Sequence, residues 1–265
     1  MRADGGADLR TAVLLAPDAW RASLRLSKYH AEREEWSEAL VVAERGYFIH
    51  PDNYYLGLQL AGCYMYNGQY EEGIQLLKGL HVLPNEGASE GRNVWRETHL
   101  HAAIAALGRG EDELALTYIS AARTWPENIG VGRPYDVDER LEDYLEWIGV
   151  TRLGRGEADV LEDRIVSFRG AHPDWPAGSG DLLSLIMLRD AKEMSASRAE
   201  WLASGNGRLQ IRWCNAFLDG DRETVDRLSG EKVPPITAMP YEIPYEDRAF
   251  PLIKKMYQTG LLTIK

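Results

Sequence analysis

The amino-acid sequence predicts an all-α protein, an α-solenoid of helix–turn–helix repeats, and three observations carry that expectation. Segments made of a tight turn, an amphipathic helix and a terminating proline recur along the chain at near-constant spacing. No run of four or five residues keeps the apolar–polar alternation of a half-buried strand, and Val/Ile/Thr-rich runs are missing. Of the 265 residues 45% are hydrophobic and 27% charged, the balance of a globular chain with enough apolar side chains for a core.

The first such segment runs from Glu35-Trp-Ser-Glu-Ala-Leu to His50-Pro-Asp-Asn. The second runs from Gly68-Gln-Tyr-Glu-Glu-Gly-Ile to Leu83-Pro-Asn, and the third from Gly110-Glu-Asp-Glu-Leu-Ala-Leu to Trp125-Pro-Glu-Asn. Acidic residues sit at each helix start, and proline, which lacks an amide hydrogen, ends the helical pattern. Pro17 to Pro51 is 34 residues, as is Ala39 to Gly73; Gly73 to Ala115 is 42. Ala39 and Gly73 are small because two helices of a hairpin approach closely only where a side chain is nearly absent. Regular repeats are expected over 18–128. A fourth, longer pair is expected over Asp138–Leu153 and Ala158–Phe168, where Leu153-Gly-Arg-Gly156-Glu echoes Leu107-Gly-Arg-Gly110-Glu at an offset of 46. Divergent pairs follow at Asp181–Met194 with Ser197–Ala203, and at Gly207–Leu218 with Thr224–Leu228, so that 136–230 continues the array. Five prolines in the last 35 residues mark an extended strap and a terminal helix, Glu246–Gln258, as an atypical cap over 231–265. The whole of 1–265 is expected to form one elongated domain with Gly-rich inter-repeat loops.

A 34-residue helix–turn–helix period is that of the tetratricopeptide repeat. The chain resembles that superfamily at Leu60, Ala61 and Tyr64 in a first helix, and at Trp36 or Tyr70, Ala39 or Gly73, and Pro51 or Pro84 in the second. A narrower resemblance lies in the two Gly-rich insertions, Leu83–Arg92 and Trp125–Tyr135, each with an Asn/Glu pair after its proline and a basic residue before the next helix. These look like the helical-repeat region of large uncharacterised bacterial proteins whose repeats follow a β-rich, carbohydrate-enzyme-like portion. That likeness covers roughly Asn53 to Gly170. The β-rich portion is absent here, so no enzymatic role residing in it carries over.

With 30 Lys plus Arg against 41 Asp plus Glu, the formal charge is −11. Such a balance argues against nucleic acid and against an anionic membrane as partners. No apolar run approaches the roughly 20 residues of a membrane helix, and Met1-Arg-Ala-Asp-Gly-Gly lacks a signal-peptide core. Two cysteines, Cys63 and Cys214, are too few for a disulfide scaffold, so a cytoplasmic location with reduced thiols is expected.

Each chemical motif has a plainer explanation. Gly87-Ala-Ser89-Glu-Gly91 matches a nucleophile elbow, but follows a repeat helix instead of a strand and is read as an inter-repeat loop. His99 and His101 point about 200° apart on a helix and cannot chelate one ion, so one is expected to face a groove and the other to pack. Gly130-Val-Gly132-Arg133 lacks the strand and third glycine of a dinucleotide fingerprint. Residues 127–164 hold 11 acidic and five basic side chains, over half the net charge. Within them, Asp136–Glu146 is read as a cap from Asp136 or Asp138 followed by a solvated acidic face, with docking of a basic partner or acid–base work on a sugar as the functional alternatives. No catalytic residue, metal or cofactor is expected.

Aligned on the 34-residue frame, the first-helix faces that a solenoid turns toward its partner present Arg21, Leu24 and Lys28, then Tyr55, Leu58, Gly62, Met65 and Tyr66, then Glu97, Leu100, His101 and Ile104. The clamp of Lys, Arg and Asn that chaperone-tail-binding members of the superfamily carry is not matched. Partner contacts are expected from Arg21, Lys28, Tyr55, Leu58, Met65, Tyr66, Glu97 and His101, with Asn85, Glu86, Glu90, Arg92, Asn128 and Arg133 as loop candidates. The expected function is a non-enzymatic protein- or peptide-interaction scaffold. The alternatives are an accessory or catalytic part of a carbohydrate-active system using 136–146, and self-association into a homo-oligomer through an uncapped repeat face.

Overall fold

The computed structural model describes residues 5–81, 90–130, 137–172, 178–188, 196–199, 208–231 and 248–264. The described residues are all-α, with no β-strand among them. The helices are α1 (Gly5–Leu15), α2 (Trp20–Ala31), α3 (Trp36–Ile49), α4 (Tyr54–Tyr66), α5 (Tyr70–Gly79), α6 (Glu90–Gly108), α7 (Asp112–Ala122), α8 (Arg140–Arg152), α9 (Ala158–Ala171), α10 (Gly180–Met187), α11 (Leu209–Leu218), α12 (Arg222–Ser229) and α13 (Ala249–Gln258). No helix among them is long and apolar enough to cross a membrane.

One turn recurs between helices. In it a residue with φ near +70° follows the helix, and the next amide donates to a carbonyl five residues back, the Schellman closure that satisfies a helix's last acceptors. Glu35 N–H reaches His30 C=O at 3.0 Å, Gln69 reaches Tyr64 at 2.9 Å, and Glu111 reaches Ala106 at 3.0 Å. Arg155 to Val150, Asp221 to Ala216 and Leu261 to Met256 follow at 2.9 Å each. The left-handed position is Gly68, Gly110, Gly154, Gly220 or Gly260, and once Glu34, at φ 61°. The counterpart of Gly110 is therefore Gly154, an offset of 44; the matching Leu-Gly-Arg-Gly strings place it two residues too far along.

The chain divides into two compact units, and the boundary falls within α6. In the first, made of residues 1–102 and 124–134, the helices from α1 to α5 pack each on the next and α2 also packs on α4. Ala39, Ala43 and Gly46, spaced along one face of α3, make this possible. A Cβ added at Gly46 would lie 3.0 Å from Ser23 and 3.2 Å from Leu56, so α2 and α4 close on α3 where its side chains are smallest. Ala39, Ala43, Leu60 and Cys63 form the core, flanked by Tyr47, Tyr64 and Leu76. The Ser27 hydroxyl donates to the Ala39 carbonyl at 2.9 Å.

In the second unit α7, α8, α9 and α10 pack in chain order over Leu107, Ile119, Leu145, Ile165 and Leu182. Arg152 donates to the Leu107 carbonyl at 2.8 Å. Further along, Trp213 of α11 is fully buried, edge-on to Phe250 of α13, with its indole N–H on Ser229 at 2.8 Å. The Thr259 side chain that follows α13 comes near Gly108, a contact between residues 151 apart in sequence.

Candidate functional site

α2 and α4 carry the exposed chemistry of the first unit. Asn53 caps α4 by accepting the Tyr55 and Leu56 amides at 3.1 and 3.3 Å. That fixes the helical phase. Tyr55, Gln59, Gly62 and Tyr66 then share a stripe, and the two tyrosines, about 16 Å apart along the axis, are 50% and 41% exposed. Between them lies an open floor, since a Cβ at Gly62 would meet nothing within 4 Å. On α2, Ser23, Leu26 and Ser27 face the core, which turns Arg21, Arg25 and Lys28 outward to solvent. Gln59 Nε2 donates to Ser27 Oγ at 3.0 Å and so ties α4 to α2, while Trp20 stands next to both Arg21 and Tyr55.

Both tyrosines are held by aromatic neighbours. Tyr55 stacks on Trp20 at 5.9 Å and 5°, while Tyr54 covers it at 4.0 Å. Tyr66 stacks on Trp36 at 3.9 Å and 12°, with His101 edge-on at 5.5 Å. Asn67 locks that corner by donating to the Trp36 and Cys63 carbonyls. The Arg21 guanidinium lies 4.4 Å above the Trp20 ring. Each tyrosine is thus held against a tryptophan while part of it stays exposed to solvent.

Of the partner residues expected from sequence, Arg21, Lys28, Tyr55 and Tyr66 are exposed on this face. Leu58, Met65 and His101 are buried, and Glu97 is half-buried. His99 is buried as well, its Nδ1 2.8 Å from the Trp95 carbonyl, and desolvation lowers its pKa. The expectation that one of the two histidines faces a groove is thus corrected, because Thr98, Leu100 and Ile104 show α6 packed on several sides. Arg25 was missed, although it stands opposite Gln59 in the 34-residue frame.

The loop candidates divide. Asn85, Glu86 and Arg133, and the side chain of Glu90, lie outside the described residues, as do Gly87–Ser89 of the elbow-like motif. Arg92 is buried with its guanidinium 3.9 Å from the Trp125 ring. Asn128 donates to the Leu77 and Leu80 carbonyls at 3.0 and 2.6 Å, closing the end of α5. Gly91 is explained by packing, for a Cβ there would sit 2.3 Å from the Ile129 carbonyl oxygen.

The acidic segment behaves unlike a solvated face. Asp138 does accept the Arg140 amide at 3.1 Å, as a cap should. Past it, Glu142 is wholly buried, Asp143 is buried, and Arg140 is only 4% exposed. Arg140 bridges Asp138 at 2.8 Å and Asp181 at 2.6 Å, donates to Ser184, and lies over Phe168. Arg123 holds Asp143 at 2.7 Å and Glu146 at 2.6 Å, and Arg164 joins the same Asp143 oxygen at 2.7 Å. Burial pushes Asp143 up to about 6 against the pull of those two guanidiniums, and pushes Tyr144 up to about 12. Among the described residues of this stretch, Asp138, Asp143 and Glu146 each meet an arginine within the unit.

Both cysteines are buried and neither is disulfide-bonded. Desolvation raises the Cys63 pKa, which keeps it a thiol. No protein-family model, curated protein or solved structure matches this chain.

Proposed function

We propose that this chain is a non-enzymatic interaction module, a tetratricopeptide-like helical array that holds an extended segment of a partner protein across the exposed face of α2 and α4. The observation that carries this is the Tyr55–Gln59–Gly62–Tyr66 stripe, whose rings are exposed yet fixed by Trp20 and Trp36. Pre-organised aromatic side chains lose little entropy on binding and recur as interface anchors. Supporting the array itself are the 34-residue period, the recurring Schellman turn and the packing of α2 on α4. Two buried thiols suit a reducing, cytoplasmic setting.

A photo-crosslinking residue placed at Gly62, where space is open, tests the assignment. It should give a defined protein adduct in cells, while the same group at exposed Asp163 should not. Replacing Tyr55 and Tyr66 together by Ala should remove the adduct and leave helical circular dichroism unchanged. Equal adducts at both positions, or an adduct indifferent to the tyrosines, would overturn the assignment.

A further inference from the structure

The charge on α2 runs against the rest of the molecule. In a chain of net charge −11, this helix contains Arg21, Arg25, Lys28 and His30 and no Asp or Glu. The three long cations project from the side opposite Ser23, Leu26 and Ser27, at spacings of four and three residues. Elsewhere in the described residues, exposed arginines commonly find a carboxylate: Arg109 with Glu111, Arg155 with Glu113, Arg227 with Glu231. Arg21, Arg25 and Lys28 form no ion pair with any described carboxylate. Glu32, one turn beyond Lys28, is the first acid on that side. Three like charges about 6 and 4.5 Å apart along the axis repel one another and favour an anion that neutralises them together.

We propose, resting on the docking role assigned to this face, that its occupant is an acidic segment of a partner polypeptide in extended conformation. Carboxylates on alternate residues of such a segment stand about 7 Å apart, close to the Arg21–Arg25 step. The segment lies along α2 with its acids over the cations. Its backbone reaches the Tyr55 hydroxyl and the open floor at Gly62. A single-stranded nucleic acid shares the charge but stacks its bases on free ring faces, whereas Tyr55 already packs against Trp20 and Tyr54.

Selection of a random dodecapeptide display library on the 265-residue chain tests this. The wild type should enrich peptides with two or more Asp or Glu within four residues, their affinity falling about tenfold or more between 50 and 300 mM salt, as screened contacts do. The R21E/R25E/K28E variant should reverse the preference toward Lys- and Arg-rich peptides, an outcome that general loss of structure cannot produce. Enriched peptides without acidic bias, lost in the Y55A/Y66A variant, would overturn the acidic occupant and leave the docking face standing. No enrichment, or binding of oligo-dT in place of peptides, would overturn both.

Discussion

Arg25 on α2 and Arg140 on α8 are the same residue placed in opposite circumstances. Arg25 stands in water on a helix without acids. Arg140 is buried beneath Phe168 between two aspartates. Charge that is sealed and paired holds helices together; charge left outward and uncompensated is available to something else. The contrast separates a structural network in the second unit from the proposed recognition face in the first, and it can be broken experimentally.

The largest effect is expected at Arg140. Removing it in R140A leaves Asp138 and Asp181 without their shared cation, at a cost of about 3–5 kcal/mol, whereas R25A should change stability by less than about 0.5 kcal/mol. Chemical denaturation of both variants decides the point, and similar midpoints would erase the distinction drawn between the two arginines.

Asp143 sharpens the same contrast through pH. Its pKa is raised by burial from 3.8 to about 6, so the folded state favours the protonated form. Its contribution to stability is fully present below pH 3.8 and is lost as pH rises through 6. The stability difference between wild type and D143N should therefore shrink between pH 4 and 6.5, by at most about 3 kcal/mol. A difference that instead grows with pH would mean that the ion pairs with Arg123 and Arg164 outweigh desolvation.

Two helical glycines give a smaller opposed pair. G91A drives a Cβ into the Ile129 carbonyl, a backbone atom that cannot swing aside, and should cost about 1–3 kcal/mol. G62A enters open space and should stabilise by about 0.5–1 kcal/mol through lower unfolded-state entropy. Thermal unfolding of both variants separates packing from exposure at the two sites.

Much of the helical order was legible in the sequence because it rests on local chemistry. A glycine takes the left-handed position, the next amide closes the turn, and a proline forbids continuation. The exposed stripe was legible for a related reason, since a 34-residue shift carries Arg21 onto Tyr55 and Lys28 onto Gly62. The Leu153-Gly-Arg-Gly156 string misled by two residues because composition does not say which glycine adopts positive φ; the Arg155–Val150 hydrogen bond decides for Gly154. The burial of Glu142 and Asp143 was not legible either. The partners of this network come from elsewhere in the chain, Arg123 20 residues and Arg164 21 residues from Asp143, and Asp181 41 residues from Arg140. An acid-rich helix looks the same on paper whether water or arginine answers it. The Trp20–Tyr55 stack depends on how two helices meet, and periodicity along one helix carries no information about that.

The smallest expected effect concerns the turn that both units share. Glu34 occupies the left-handed position taken by glycine in the other five Schellman turns and is the only described non-glycine residue at positive φ. Its Cβ makes that conformation about 1–2 kcal/mol less favourable than for glycine. Glycine gains freedom in the unfolded chain, which returns about 0.5–1 kcal/mol of that benefit. E34G should therefore stabilise the first unit by roughly 0.5–1 kcal/mol, seen as a small rise in melting temperature. The reciprocal G68E, at the equivalent turn 34 residues on, should lose a comparable amount. If E34G destabilises while G68E behaves as expected, the Glu34 side chain makes a contribution that outweighs its backbone strain. If neither variant moves, the turn tolerates any residue, and the recurrence of glycine there would need a cause other than conformation.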